Sequence, residues 1–146
     1  WLREKHGVQT AYLFIGLVPK YKDLYTTLQQ AGYVLVFKET IIDANGMPKG
    51  NCDADLVLRA VVDLFETNYQ KAVLVSSDGD YAVLVKFLLG RGKLRTVLSP
   101  HRKEKCSILL KRTGASITYL DEVRTLIGSR KEKAPDADGT ASGSFS

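Results

Sequence analysis

Residues 72–88 read AVLVSSDGDYAVLVKFL, and this stretch decides the fold. Its first part, 72–77, is short and rich in β-branched residues, which favours a β-strand. The part that follows, 80–90, predicts a helix because its apolar residues recur at helical spacing. These apolar residues are Tyr81, Leu84, Val85 and Leu88. A strand that leads into a helix is the repeating unit of parallel sheets.

The same alternation of strand and helix extends over the rest of the chain. The predicted strands are 11–16, 33–38, 72–77, 94–98 and 116–120. The predicted helices are about 20–31, 52–66, 80–90, 103–113 and 121–127. This order predicts an α/β fold of three layers (α/β/α), in which a mainly parallel sheet of about five strands has helices on both faces.

Length and composition narrow the class of protein. The 146 residues are 45% hydrophobic, which suits one domain with one core, over residues 1–127. The remaining segment, 128–146, lacks apolar periodicity and is expected to be a disordered tail. No apolar run approaches the roughly 20 residues that cross a bilayer, and the first residues are too polar for a secretory signal. The sequence therefore predicts a soluble, cytoplasmic protein without a membrane partner. Cys52 and Cys106 lack metal-ligand spacing and are expected to be reduced thiols.

Three aspartates are expected to meet at one edge of this sheet. Asp78 directly follows the strand 72–77, and Asp80 begins the next helix. Asp53 continues the buried stripe of the helix 52–66, so its carboxylate should point toward the sheet at the amino end of that helix. The carboxyl ends of parallel strands and the amino ends of the helices that follow them lie at the same edge. For Asp80 alone, a simple helix N-cap is an alternative explanation.

Such an acidic cluster predicts a metal site. Converging carboxylates repel one another, and a hard cation such as Mg²⁺ or Mn²⁺ is the simplest means of holding them together. That cation can activate a water and orient a phosphodiester, so the cluster indicates metal-assisted phosphodiester hydrolysis. Asp55 has two interpretations of similar weight. It could support the cluster, or it could belong to an exposed row of ion pairs with Arg59 and Asp63, at intervals of four residues.

Basic and polar residues surround the same edge. Lys38 follows one strand, Lys49 precedes the helix of Asp53, and the segment 99–103 (SPHRK) follows another strand. Positive charge around an acidic centre suits a phosphate chain that crosses a metal, and the net charge of +5 agrees weakly with a polyanionic partner. For any single one of these residues, a solvated surface is an equally good explanation. His101 could act as a general acid or base, although a surface histidine in a loop more often has no such role.

Two segments resemble the paired signature of a known family. They are KGNCDADL at 49–56 and VLVSSDGDY at 73–81. Together they resemble the NYN domain, the LabA-like branch of the PIN-like nucleases, over roughly residues 10–125. The resemblance implies that Asp53, Asp78 and Asp80 are catalytic metal ligands, with Asp55 in support. It also implies that the cofactor is Mg²⁺ or Mn²⁺ and that RNA is cut by a metal-activated water.

Candidate RNA-binding residues combine the basic rim with the serines that precede Asp78. They are Lys38, Lys49, Ser76, Ser77, Ser99, His101, Arg102 and Lys103. RNA is therefore the expected partner.

One element of the family pattern has no counterpart in the sequence. Family members usually open with a strand that ends in an Asp of the metal site, whereas the predicted strand 11–16 ends in Gly16 and resembles the second strand of the family. Residues 1–7 would be the remains of the intervening helix. The absent strand normally lies in the middle of the sheet, so the strand 72–77 should lack a hydrogen-bonded partner on one side. The strands could close this gap or recruit another chain, which allows a homodimer.

These observations favour one function and leave two alternatives. The favoured one is a metal-dependent RNA endonuclease that hydrolyses phosphodiester bonds. The first alternative is a catalytically impaired RNA-binding or assembly module of the same fold. The second, a phosphatase or receiver domain, ranks last because no strand ends in a D-x-D-x-T pattern and no G-x-x-x-x-G-K phosphate loop is present.

Overall fold

The computed structural model describes residues 1–38, 41–42, 44, 48–49 and 51–128. Its helices are α1 (Leu2–His6), α2 (Lys22–Gln30), α3 (Asp53–Phe65), α4 (Ala82–Gly90), α5 (Ile108–Lys111) and α6 (Arg124–Gly128). Its strands are β1 (Ala11–Gly16), β2 (Tyr33–Lys38), β3 (Ile41–Ile42), β4 (Pro48–Lys49), β5 (Ala72–Val75), β6 (Leu94–Ser99) and β7 (Ile117–Tyr119). Short 3₁₀ turns precede α2, α4 and α5. Of the predicted tail, residues 129–146 lie outside the described part of the chain.

The main strands pair in parallel, as predicted, and the fold is of the α/β class. β1 and β2 pair over their full length, from Ala11 with Tyr33 to Gly16 with Lys38. β6 lies between β5 and β7 and is parallel to both. β3 and β4 form a two-residue antiparallel ladder before α3.

The prediction of one sheet of about five strands needs a correction, because the described strands are divided among three sheets. Within the described residues, β1 pairs only with β2, and β5 pairs only with β6. The apolar pattern of a strand predicts its extended backbone, but pairing also needs a second extended segment about 4.8 Å away. The open edge of β5 agrees with the expectation that the strand 72–77 would lack a partner on one side.

Two predicted elements are shorter than expected because serine side chains bond to the backbone beside them. β5 ends at Val75 rather than at residue 77, and the Ser76 hydroxyl accepts a hydrogen bond from the backbone N of Asp78 (3.0 Å). The predicted helix 103–113 contains only α5 after a 3₁₀ turn at Lys103–Lys105. Ser107 caps α5, since its hydroxyl accepts from the backbone N of Leu109 (3.2 Å).

The core lies around β6 and α4. Val97 and Leu98 are neighbours on β6 and both are fully buried, so both faces of this strand are covered. The aliphatic residues of the predicted α4 stripe are also buried: Leu84, Val85 and Leu88. Burial of each such side chain contributes about 1.5 to 3 kcal/mol. The packing of α4 fixes the end of the connection that leads from β5 to α4.

Candidate metal centre

The connection from β5 to α4 holds its first aspartate in place. Asp78 is the N-cap of the 3₁₀ turn Gly79–Tyr81, and its Oδ1 accepts a hydrogen bond from the backbone N of Asp80 (3.0 Å). The backbone N of Asp78 donates to the Ser76 hydroxyl (3.0 Å). The capping role that the sequence allowed for Asp80 is therefore taken by Asp78, and Asp80 is exposed.

Gly79 allows the amino end of α5 to approach this turn closely. A Cβ at Gly79 would collide with the Ser107 hydroxyl and would lie 3.1 Å from Cδ1 of Leu109. The backbone N of Ser107 also donates to the Ser77 carbonyl (3.0 Å). The glycine between the two aspartates is thus required by its packing against α5.

Asp53 reaches the same place from the first residue of α3. Its backbone N donates to Oδ1 of Asn51 (2.7 Å), and its Oδ1 accepts a hydrogen bond from the Tyr81 hydroxyl. Tyr81 is 7% exposed. This burial, and then the hydrogen bond to Asp53, raises the pKa of the Tyr81 phenol well above its ordinary value. The phenol is therefore protonated at neutral pH, and its hydrogen bond links α3 to the turn before α4.

Asp53, Asp78 and Asp80 form an acidic cluster. Each offers one carboxylate oxygen, and these three oxygens lie within 4.8 Å of one another. Asp53 is half-buried and the other two are exposed, so one side of the cluster faces water. Oxygens around an octahedral Mg²⁺ are about 2.9 Å apart when adjacent and about 4.2 Å apart when opposite, so the carboxylates must move closer together to share one ion. This set of oxygen donors, with room for water, fits a hard divalent cation.

Comparison with protein families agrees with this geometry. Residues 2–121 match the family model of the NYN domain, and this range contains all three aspartates of the acidic cluster. The chain belongs to the NYN domain family. The membership that the two sequence motifs implied is therefore confirmed, and the α/β fold of this NYN domain is consistent with a place among the PIN-like proteins. No curated protein matches the chain.

A solved structure is similar to this NYN domain in fold. It is the crystal structure of a protein of unknown function from Vibrio parahaemolyticus RIMD 2210633, with 23% sequence identity and a TM-score of 0.62. The similarity covers 79% of this chain and 70% of that one.

Among the described residues of the NYN domain, no helix has the length and apolar character needed to span a membrane.

Asp55 of the NYN domain lies outside the acidic cluster. Its Oδ2 is 2.8 Å from Nζ of Lys38, and the interaction with Asp55 raises the pKa of the Lys38 ammonium. The predicted row of ion pairs forms only in part, with Nε of Arg59 2.7 Å from Oδ2 of Asp63. Residues two apart on a helix are separated by about 200° around the helix axis. The side chains of Asp55 and Asp53 therefore point in different directions. The structure thus places Asp55 in a pair with Lys38, apart from the three carboxylate oxygens of the acidic cluster.

The loops after β5 and β6 meet beside the acidic cluster. Ser77 Oγ lies 2.7 Å from Nδ1 of His101, which is exposed. Ser99 is fully buried, and its hydroxyl donates to the His101 carbonyl (2.8 Å). Among the predicted RNA-binding residues, His101 therefore lies at the surface near the cluster. Ser99 supports its loop from inside, because a buried hydroxyl already bonded to a carbonyl is not available to RNA.

The predicted basic rim of the NYN domain carries mixed charge. Nε of Arg102 donates to Oδ2 of Asp121 (2.9 Å). Arg102 and Lys103 line a surface pocket together with three acidic residues, Glu104, Asp121 and Glu122. The side chain of Lys49 lies outside the described part of the structure. Acidic neighbours thus reduce the positive potential that the sequence pattern indicated for the segment 99–103.

Tyr81 is the residue of this centre that the sequence pattern did not reveal. The sequence pattern places it in the apolar stripe of the helix 80–90, and it is indeed buried. The available signal was its hydroxyl, since a buried phenol usually has a hydrogen-bond partner. Asp53 could have been proposed as the acceptor, because it is at the amino end of a helix on the same side of the fold as Tyr81.

Proposed function

We propose that this NYN domain is a metal-dependent ribonuclease that hydrolyses RNA phosphodiester bonds. The observation that supports the proposal is the convergence of Asp53, Asp78 and Asp80 within 4.8 Å in a chain of the NYN family. Bound Mg²⁺ or Mn²⁺ would supply an activated water and neutralise charge on the leaving oxygen.

The three carboxylates would hold the cation in different ways. Asp53 lies at the amino end of α3, where the helix dipole favours a negative charge. Asp53 and Asp78 each have one oxygen bonded within the protein, to Tyr81 and to the backbone N of Asp80 respectively. Their second oxygens are therefore presented in a fixed direction. Asp80 is exposed and can adjust to the ion and to the substrate.

We further propose that RNA crosses the exposed side of the acidic cluster. Ser77 engages Nδ1 of His101, which leaves Nε2 for a phosphate oxygen. Lys103 is exposed in the next turn and could contact the same strand. Lys38 should contribute less than its charge suggests because Asp55 already neutralises it. Arg102 would have to exchange Asp121 for a phosphate, and Lys49 stays a candidate by its place in the sequence.

A cytoplasmic location is part of the same proposal. Cys52 is half-buried and Cys106 is buried, and both are free thiols. Free thiols suit a reducing compartment. Fractionation of cells that express the tagged protein would test this location.

A second candidate is an RNA-binding or assembly module of the same fold without catalysis. The pairing of Asp55 with Lys38 favours it, since this pairing leaves three carboxylates in the acidic cluster and less negative charge to hold a dication. Within the part of the chain that the structure describes, β1 and β5 each have an unpaired edge, which also suits assembly because such an edge can accept a strand from another chain.

Cleavage of a labelled single-stranded RNA tests the ribonuclease proposal. We expect products in Mg²⁺ or Mn²⁺, no products with EDTA, and a loss of at least about 100-fold in Asp78→Asn. The reason is that Asp78→Asn removes a charged metal ligand without changing the size of the side chain. Asp23→Asn is the matched control, because Asp23 is an exposed carboxylate on α2 and should behave like the wild-type protein.

Two results would decide against this mechanism. Cleavage that persists both with EDTA and in Asp78→Asn would remove the metal from it. RNA binding that weakens steeply with salt, without products in either metal, would instead support the second candidate.

A further inference from the structure

The Tyr81 hydroxyl occupies one of the two oxygens of Asp53. It donates to Oδ1, so Oδ2 is the oxygen that a metal can bind without competing with this hydrogen bond. Tyr81 is 7% exposed and belongs to the main hydrophobic core together with Leu84 and Leu88. Because its ring is packed in the core, Tyr81 cannot turn away without opening that core. A residue that is not itself a ligand therefore holds the Asp53 carboxylate in one orientation.

We propose that Tyr81 is a positioning residue that makes the metal site select Mg²⁺ over Ca²⁺. This inference rests on the proposed metal site and adds the selectivity of that site and the residue that sets it.

The two ions differ in how they use a carboxylate. Mg²⁺ requires near-octahedral coordination at about 2.0 to 2.1 Å and keeps several waters. Ca²⁺ takes about six to eight oxygens and readily binds both oxygens of one carboxylate. Because Oδ1 accepts the Tyr81 hydrogen bond, binding of a metal through both oxygens of Asp53 would compete with that bond, so binding through one oxygen is favoured. Oδ1 of Asp78 is likewise bonded to the backbone N of Asp80. A site with two carboxylates restricted in this way must complete the coordination of Ca²⁺ with water, so it lacks the advantage that carboxylates binding through both oxygens give to Ca²⁺.

Removal of the Tyr81 hydroxyl should therefore affect the two ions differently. In Tyr81→Phe, the second oxygen of Asp53 no longer accepts this hydrogen bond, so binding through both oxygens becomes easier, which favours Ca²⁺. Mg²⁺ gains nothing from that oxygen and loses the fixed orientation of the carboxylate. A general loss of structure would instead lower the affinity for both ions together.

Isothermal titration calorimetry with MgCl₂ and CaCl₂ tests the proposal. We expect the ratio of Mg²⁺ to Ca²⁺ affinity to fall about tenfold in Tyr81→Phe, in the range usual for outer-shell partners of metal ligands. Tyr69→Phe is the matched control: the Tyr69 hydroxyl donates to the Ala60 carbonyl (2.8 Å), and Tyr69 is not part of the acidic cluster. Its affinity ratio should equal that of the wild-type protein.

The outcomes separate this inference from the proposed function. An unchanged ratio in Tyr81→Phe, with a wild-type protein that binds Mg²⁺, would overturn the inference and leave the metal site standing. A wild-type protein that binds neither Mg²⁺ nor Mn²⁺ would overturn the proposed metal site and this inference with it.

Infrared difference spectra of the wild-type protein give a second readout that does not depend on the folding of Tyr81→Phe. Carboxylates that bind a metal through one oxygen show a wider separation of their two stretching bands than those that bind through both. We expect the wide separation for Asp53 in Mg²⁺, with its bands assigned by their loss in Asp53→Asn. The narrow separation in Mg²⁺ would also overturn the proposal.

Discussion

Gly79 and Tyr81 shape the acidic cluster without contributing a ligand. Gly79 leaves room for Ser107 and Leu109 beside the turn that carries Asp78. Tyr81 holds the carboxylate of Asp53 from inside the core. A change at either residue should therefore alter the cluster while all three aspartates remain in the chain.

Gly79→Ala is expected to destabilise the protein by about 1 to 3 kcal/mol, the usual cost of overpacking. The added methyl group would collide with the Ser107 hydroxyl and crowd Leu109, so the turn or the start of α5 must shift. Urea unfolding followed by circular dichroism measures this change in the free energy of unfolding.

Gly90→Ala is the control for that measurement. A Cβ at Gly90 meets nothing within 4 Å, and Gly90 does not have a positive φ. We expect its free energy of unfolding to stay within about 0.5 kcal/mol of the wild-type value or to rise slightly. Equal losses in the two variants would show that packing against α5 is not the reason for Gly79.

At the scale of the element, α3 connects the acidic cluster to the rest of the fold. It begins with Asp53 and carries Asp63 in its last turn. Asp63 is 6% exposed. Burial by itself raises the pKa of Asp63, but hydrogen bonds from Arg59 and Asn68, together with the charge of Arg59, outweigh it and hold the pKa below its ordinary value. The ionised form of Asp63 is thus more stable in the folded protein than in the unfolded chain.

This depressed pKa predicts a pH-dependent contribution to stability. The contribution is complete above the ordinary pKa of 3.8 and is lost as pH falls through the lower pKa of the folded state. Asp63→Asn should therefore be less stable than the wild-type protein by about 1 to 3 kcal/mol at pH 7, since it weakens hydrogen bonds to a charged group. The difference should persist at pH 5 and shrink at pH 3. Urea unfolding at these pH values checks it, and a difference that stays constant down to pH 3 would contradict it.

Most elements could be predicted because their residues repeat at a strand or helix period. The strands 11–16 and 33–38 were predicted with the same ends that the structure shows. The convergence of Asp53 with Asp78 and Asp80 was also predictable, since parallel topology brings these positions to one edge. These features depend on local pattern and on connectivity alone.

Other features depend on partners that the sequence does not name. The pairing of Asp55 with Lys38 joins residues from α3 and β2, and the burial of Ser99 depends on the packing around β6. β1 and β5 belong to different sheets, and the apolar pattern of a strand does not determine which strands pair with each other. The sequence pattern does not predict the role of Tyr81, because an aromatic residue in an apolar stripe is usually only a core residue.

At the scale of the whole molecule, β6 differs from the other described strands of the parallel sheets. It has a paired strand on each side, whereas β1, β2, β5 and β7 are paired on one side within the described residues. Two of its neighbouring residues, Val97 and Leu98, are completely buried. Stability should therefore be highest around β6 and lower in the pair of β1 and β2.

Hydrogen–deuterium exchange checks this distribution of stability. We expect the backbone amides of β6 to exchange most slowly and those of β1 and β2 to exchange faster, because fewer buried contacts must break to expose them. Equal protection of β1 and β6 would contradict the prediction. It would indicate that the open edge of β1 is covered in solution, and the protein mass in solution would then show whether a second copy covers it.

The contact of Ser107 with the segment Ser77–Gly79 limits how this acidic turn can be transplanted into another scaffold. A graft of residues 76–81 alone would carry both aspartates of the turn. It would lack the start of α5, which packs closely against Gly79 because glycine has no Cβ. A transplanted segment must therefore also include the amino end of α5, which lies far along the chain, because that part of the structure supports the turn.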